Sequence, residues 1–137
     1  MTKSIENLSE KSRKKHILLL DADPSIRDSL ASALRSENYC VTSASDEQEG
    51  LKQLSGDLID LALVGLEDRD QARWHAVQKL DAANPRLPII LLTAQPEGTQ
   101  HPLASRAQAW FPKPLLDLSL LFKKVTELTV QSDPTVC

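Results

Sequence analysis

The sequence predicts an α/β domain in which helices cover both faces of a five-stranded parallel sheet. Short apolar runs alternate with segments of helical periodicity, and the runs at residues 16–20 and 87–92 are almost wholly aliphatic. Continuous apolar strands of this kind are typical of parallel sheets that are buried on both faces. The length of 137 residues is that of a single domain.

Composition narrows the class of function. The formal net charge of −3 argues against a dedicated nucleic-acid binder, and no apolar run approaches the roughly 20 residues that a membrane helix needs. The two cysteines, Cys40 and Cys137, have neither disulfide-framework nor metal-site spacing. We therefore expect a cytoplasmic protein with no direct nucleic-acid partner and no membrane partner.

Polar segments flank the predicted domain. Residues 1–14 are rich in lysine and lack an apolar stretch, which predicts a flexible basic N-terminal arm. The folded domain is expected over residues 15–130, and residues 131–137 form a C-terminal tail.

The predicted elements set the topology. Strands are expected at residues 16–20, 39–42, 58–64, 87–92 and 109–111, and helices at 24–34, 46–54, 70–82 and 118–128. A short, irregular fourth helix is expected to begin near Pro102, because Pro96 and Gly98 interrupt the preceding stretch. Pro24 suits the first position of a helix that Asp23 caps. Right-handed crossovers then favour the strand order 2-1-3-4-5 of a flavodoxin-like (βα)5 fold.

Candidate functional residues follow from this topology. Ligands of open α/β sheets bind outside the carboxyl ends of the strands. The residues at those ends in this chain are Asp21, Ala22, Asp23, Gly65, Thr93 and Lys113.

Four stretches carry a resemblance to a known family. They are ILLLDADPSIRDSL at 17–30, IDLALVGLE at 59–67, PIILLTA at 88–94 and AWFPKPL at 109–115. Together they resemble the CheY-like receiver domain of response regulators, over nearly the whole chain. The resemblance implies two-component signalling. An Asp at the end of the third strand would accept a phosphoryl group, an acidic pair would hold Mg²⁺, and a Thr and a Lys would contact the phosphoryl oxygens.

The chain keeps only part of the set that this resemblance implies. Asp21, Thr93 and Lys113 match family positions. The second acid of the pair falls on Ala22, and the phosphoacceptor falls on Gly65. We therefore interpret the chain as a degenerate pseudo-receiver: not an enzyme, without a catalytic residue, with Mg²⁺ binding lost or weak. Lys113 is expected to form an ion pair with Asp21 or Asp23.

The working surface is expected around the fifth strand. Trp110 occupies the family's switch-aromatic position, and Arg106 replaces a small residue. With Lys123 and Lys124 they form a predicted contact patch, since large aromatics and Arg are enriched at binding hot spots. Simple edge-strand packing is the alternative for Trp110, and Trp74 is expected on a helix surface. A histidine kinase, another regulator, or a second copy bound through the fourth helix, fifth strand and fifth helix are the candidate partners.

Two other functions remain open from the sequence. A conventional phosphoreceiver would need a nearby acid such as Asp68. The spacing Asp21-Ala22-Asp23 also resembles the first motif of haloacid-dehalogenase-type phosphatases, with Asp21 as nucleophile. That family needs a further acidic pair at a later strand end, and the acids after Lys113 lie in the last helix and the tail.

Overall fold

The computed structural model describes residues 14–56, 58–66, 71–93, 106–113 and 118–131. These residues form the strands β1 (His16–Leu20), β2 (Cys40–Ala44), β3 (Leu61–Leu66), β4 (Ile89–Thr93) and β5 (Ala109–Pro112). They also form the helices α1 (Pro24–Ser36), α2 (Glu47–Gly56), α3 (Gln71–Ala83) and the last helix, α4 (Leu118–Gln131). The short helix predicted near Pro102, the basic arm up to residue 13 and the end of the tail lie outside the described residues.

The five strands form one parallel sheet in the order β2-β1-β3-β4-β5, which confirms the predicted topology. Ile17 of β1 pairs with Val41 of β2 on one side and with Leu61 of β3 on the other. At the far edge, Leu91 of β4 pairs with Trp110 of β5. All carboxyl ends of the strands therefore lie along one edge of the sheet.

Two apolar layers hold the helices against the sheet. The layer on one face contains Leu18 and Leu91 and packs against α2 and α3. The opposite layer contains Leu19 and Ile90 and packs against α1 and α4. Alternate residues of the same strand enter opposite layers, which is why the central strands are apolar at nearly every position. Burial of each of these aliphatic side chains stabilises the folded state by about 1.5–3 kcal/mol.

The third strand begins later than predicted. Leu58 and Ile59 continue the apolar run, but Leu58 is 65% exposed and precedes the strand. Asp60 joins the start of β1 instead: its amide donates to the His16 carbonyl at 2.8 Å, and its carboxylate accepts from the His16 amide at 2.7 Å. At its other end β3 extends to Leu66, and Gly65 lies inside the strand, paired with Leu92.

Local signals fix both ends of α1. The carboxylate of Asp23 accepts from the amides of Ser25 and Ile26, as an N-cap does. Asn38 follows the helix with a φ of 75°, a left-handed conformation that Asn tolerates better than most residues.

Within the described ranges, no helix is both long and apolar enough to cross a bilayer.

Candidate functional site

The carboxyl edge of the sheet brings the predicted site residues of four strands together. Asp21 follows β1, Gly65 lies near the end of β3, Thr93 ends β4 and Lys113 follows β5. The register pairs Leu20 of β1 with Val64 of β3. The residues that follow these two, Asp21 and Gly65, are therefore neighbours at this edge. The amide of Lys113 donates to the Thr93 carbonyl at 2.9 Å, which fixes the lysine at the same edge.

Asp21 and Lys113 form an ion pair that is almost completely buried. Lys113 Nζ lies 2.9 Å from Asp21 Oδ2, and the exposed fractions of the two side chains are 8% and 0%. The other carboxylate oxygen, Oδ1, accepts from the Asp23 amide at 2.9 Å. Oδ1 is therefore hydrogen-bonded, whereas Oδ2 is held by the charge of Lys113 without hydrogen-bond geometry. The ion pair predicted for Lys113 is made with Asp21, and Asp23 serves as the cap of α1.

The backbone of Asp21 is held as firmly as its side chain. Its amide donates to the Ala44 carbonyl of β2 at 3.1 Å. Its carbonyl accepts from Nη1 of Arg27, one turn into α1, at 2.8 Å. The sequence analysis includes Arg27 only within the stretch at 17–30. Its position four residues after the cap Asp23 is the signal that it can reach back to the strand end.

Gly65 has no room for a side chain in this arrangement. An ideal Cβ at Gly65 would overlap Asp21 Oδ2, and would lie 2.6 Å from Asp21 Cγ and 2.9 Å from Lys113 Nζ. Carbon atoms that are not bonded pack at about 3.5–4.0 Å. The Asp21–Lys113 ion pair thus fills the volume into which a phosphoacceptor side chain would begin to project.

The described residues at this edge offer few ligands to a magnesium ion. Mg²⁺ prefers near-octahedral coordination by hard oxygen ligands. Ala22 is exposed and Gly65 is buried, and neither offers a side-chain ligand. Asp21 is already paired with a cation, which would repel Mg²⁺, and Asp23 caps α1. Among the described residues, no three His, Cys, Asp or Glu side chains are grouped to hold a metal.

The two alternative functions depend on different acids. Asp68 and Glu67 lie outside the described residues, so the alternative with Asp68 as phosphoacceptor stays a prediction. Asp21 as the nucleophile of a phosphatase would have to attack from a fully buried position while paired with Lys113. The geometry therefore does not favour a phosphatase.

Two tryptophans pack together beside β5. The ring centroids of Trp74 and Trp110 are 6.2 Å apart and the rings are tilted by 51°. Trp74 is 9% exposed and belongs to the apolar layer under α3, and Trp110 packs against that layer. The prediction of a surface position for Trp74 is wrong. Its place three residues before Val77 and six before Leu80, on the same helical stripe, is the signal that assigns it to the core.

The predicted contact patch is only partly available at the surface. The guanidinium of Arg106 is paired with Asp81, and its side chain is 15% exposed. On α4, Lys123 is exposed. Lys124 Nζ lies 3.2 Å from Oε2 of Glu127, one helical turn further along, and both side chains are partly exposed. The contact role of these residues and of Trp110 stays a prediction, and Arg106 has an intramolecular role in addition.

The parallel order β2-β1-β3-β4-β5, with an acid, a threonine and a lysine at its carboxyl edge, defines a receiver-type signalling domain. Comparisons with known proteins agree. The family profile of the response regulator receiver domain matches residues 17–126. The chain belongs to that family, whose members act in two-component signalling.

Relatives with known names support this membership. The chain is 30% identical to the transcriptional regulatory protein GlrR of Escherichia coli over 122 residues, which is 87% of this chain and 27% of GlrR. It is 28% identical to the probable transcriptional regulatory protein TcrX of Mycobacterium tuberculosis over 58% of this chain and 34% of TcrX. The chain therefore matches only about a third or less of these regulators.

Solved structures show the same fold. A CheY-like response regulator receiver domain protein from Methanospirillum hungatei superimposes with a TM-score of 0.77 at 27% identity, covering 87% of this chain and 96% of that one. The response regulator TrrA from Thermotoga maritima, solved in complex with Mg²⁺-BeF, gives a TM-score of 0.75 at 26% identity. That match covers 83% of this chain and 98% of TrrA.

Proposed function

We propose that this protein is a phosphorylation-independent, atypical response-regulator receiver that acts through protein–protein contacts. One observation carries the proposal. The family resemblance assigns the phosphoacceptor position to Gly65, and an ideal Cβ there would overlap the carboxylate of the buried Asp21–Lys113 pair. Aspartyl phosphate chemistry needs a carboxylate that can approach the donor and a metal that neutralises the developing charge. Among the described residues at this edge, the carboxylate of Asp21 is paired with Lys113 and that of Asp23 caps α1, which supports the proposal.

The rest of the proposal concerns what the domain contacts. A receiver that cannot be phosphorylated responds only to a partner or ligand with different affinities for two states, or presents one fixed surface. We propose a histidine kinase or another regulator as the partner, in the cytoplasm, with no direct contact to nucleic acid and no catalytic activity. The named relatives GlrR and TcrX are transcriptional regulatory proteins, which supports a regulatory pathway.

Phosphodonor treatment tests the proposal. Incubation of the protein with acetyl phosphate and Mg²⁺ should leave its intact mass unchanged, because Gly65 has no attacking oxygen. The response regulator TrrA, which was solved in complex with Mg²⁺-BeF, is treated in parallel as a control for the activity of the donor. A stoichiometric, hydroxylamine-labile adduct would contradict the proposal. The variants Asp21→Asn and Asp68→Asn would then identify the acceptor.

A further inference from the structure

Contacts at the start, the middle and the end of β5 attach this strand to other elements of the domain. We propose that these three attachments hold β5 in one conformation, so that the edge strand that carries Trp110 is presented in a single fixed form. Where it treats this strand as part of the contact surface, the inference rests on the proposed function. The rigidity of the strand itself does not depend on it.

The first attachment is Arg106, which lies three residues before β5. Its guanidinium pairs with Asp81 of α3. The nitrogen Nη2 donates to the carbonyl oxygens of Pro85 at 3.0 Å and Leu87 at 2.7 Å, with a longer contact of 3.3 Å to that of Asn84. One buried arginine thus binds the end of α3 and the whole turn that leads into β4. A lysine has no planar fork with which to reach these acceptors together.

Gln108 strengthens the same attachment. Its amide donates to the Ile89 carbonyl at 2.9 Å, and its side-chain oxygen accepts from the Ile89 amide at 2.7 Å. The residue therefore satisfies both backbone groups at the start of β4. The segment that leads into β5 is held by a charged group and by a paired hydrogen bond, and these are expensive to break together.

The middle and the end of β5 are attached to other elements. Trp110 packs against Trp74, which joins the strand to α3. Lys113 joins the end of the strand to Asp21, which follows β1, a strand separated from β5 by β3 and β4. Because the attachments reach α3, β4 and β1, a displacement of β5 would have to break contacts with all three elements.

Hydrogen exchange tests the inference on the intact protein. The amides of Gln108 and Lys113 are both hydrogen-bonded to β4 and report on the two ends of the strand. In Arg106→Ala these amides and those of β5 should exchange at least about tenfold faster, since hydrogen bonds of a charged group stabilise a segment by that much. Arg106→Lys should give a smaller increase in the same amides. Arg86→Ala removes an exposed arginine of the same turn and should leave the rates unchanged.

The two tryptophans supply a second readout, because the chain contains no others. The exciton signal of the Trp74–Trp110 pair in circular dichroism should weaken in Arg106→Ala. Parental exchange in β5 in both Arg106 variants would overturn the inference. If Arg106→Ala accelerates amide exchange throughout the sheet, the milder variant Arg106→Lys is the deciding measurement. Faster amide exchange confined to β5 in Arg106→Lys supports the inference, and a uniform change in the exchange rates of all strands contradicts it. A phosphoryl adduct in the mass experiment would refute the proposed function and leave these exchange rates as they are.

Discussion

Lys113→Met should lower the free energy of unfolding by about 3–5 kcal/mol, because it leaves the buried carboxylate of Asp21 without its cation. Methionine keeps most of the apolar length of lysine, so the loss reports on charge more than on packing. Urea unfolding with an unchanged slope is the measurement. The double variant Asp21→Asn with Lys113→Met should recover most of the loss, since a neutral amide no longer needs the cation.

A surface ion pair provides the control for this result. Lys124 lies 3.2 Å from Glu127, and both side chains are more than a third exposed. Lys124→Met should therefore change the free energy of unfolding by no more than about 0.5 kcal/mol. If Lys113→Met costs no more than Lys124→Met, or if the double variant is as unstable as the single one, the Asp21–Lys113 pair does not hold the pocket together.

Gly65→Ala should destabilise the protein by about 1–3 kcal/mol, because the added Cβ meets the carboxylate of Asp21 and the ammonium of Lys113. Gly65→Asp should cost more, since it also places a second carboxylate beside Asp21. Gly50→Ala is the matched control. Its Cβ would lie 3.5 Å from the nearest atom of Leu20, an ordinary contact, and alanine is favoured over glycine within α2 by about 1 kcal/mol.

The same substitution bears on phosphorylation. Gly65→Asp restores an attacking oxygen but no metal ligand, so acetyl phosphate should modify it poorly. The double variant Gly65→Asp with Ala22→Asp should be modified faster, because the second acid supplies the missing ligand for Mg²⁺. Equal rates of phosphorylation for the two variants would contradict the role given to Ala22.

For the stability prediction, a Gly65→Ala variant as stable as Gly50→Ala would contradict the claim that a Cβ at Gly65 meets Asp21 and Lys113.

The fold was predictable because the central strands carry strong signals. Residues 17–20 are aliphatic at every position and are followed by the acid Asp21, and β1 is found there. The start of β3 was misplaced because the apolar run continues through Leu58 and Ile59. The strand is delimited instead by the hydrogen bonds between Asp60 and His16, a long-range contact that no local pattern reveals.

The candidate site was predictable in its composition and less so in its geometry. The topology alone places Asp21, Gly65 and Lys113 at one edge of the sheet. That the Asp21 carboxylate lies directly over Gly65 depends on side-chain packing. Arg106 was predicted as a contact residue because arginine is common in interfaces, whereas the tertiary fold surrounds it with carbonyls of the turn between α3 and β4. Local sequence carries no information about such distant acceptors.

The most direct test of the central claim follows the two-dimensional amide proton–nitrogen NMR spectrum as Mg²⁺ and then beryllofluoride are added. TrrA, which was solved in complex with Mg²⁺-BeF, is the positive control. If the Asp21–Lys113 pair fills the pocket, the amide resonances of Gly65, Thr93 and Lys113 should keep their positions throughout both titrations. Saturable shifts of these resonances, extending into β5, would show that the pocket accepts a metal and a phosphoryl mimic, and would contradict the account.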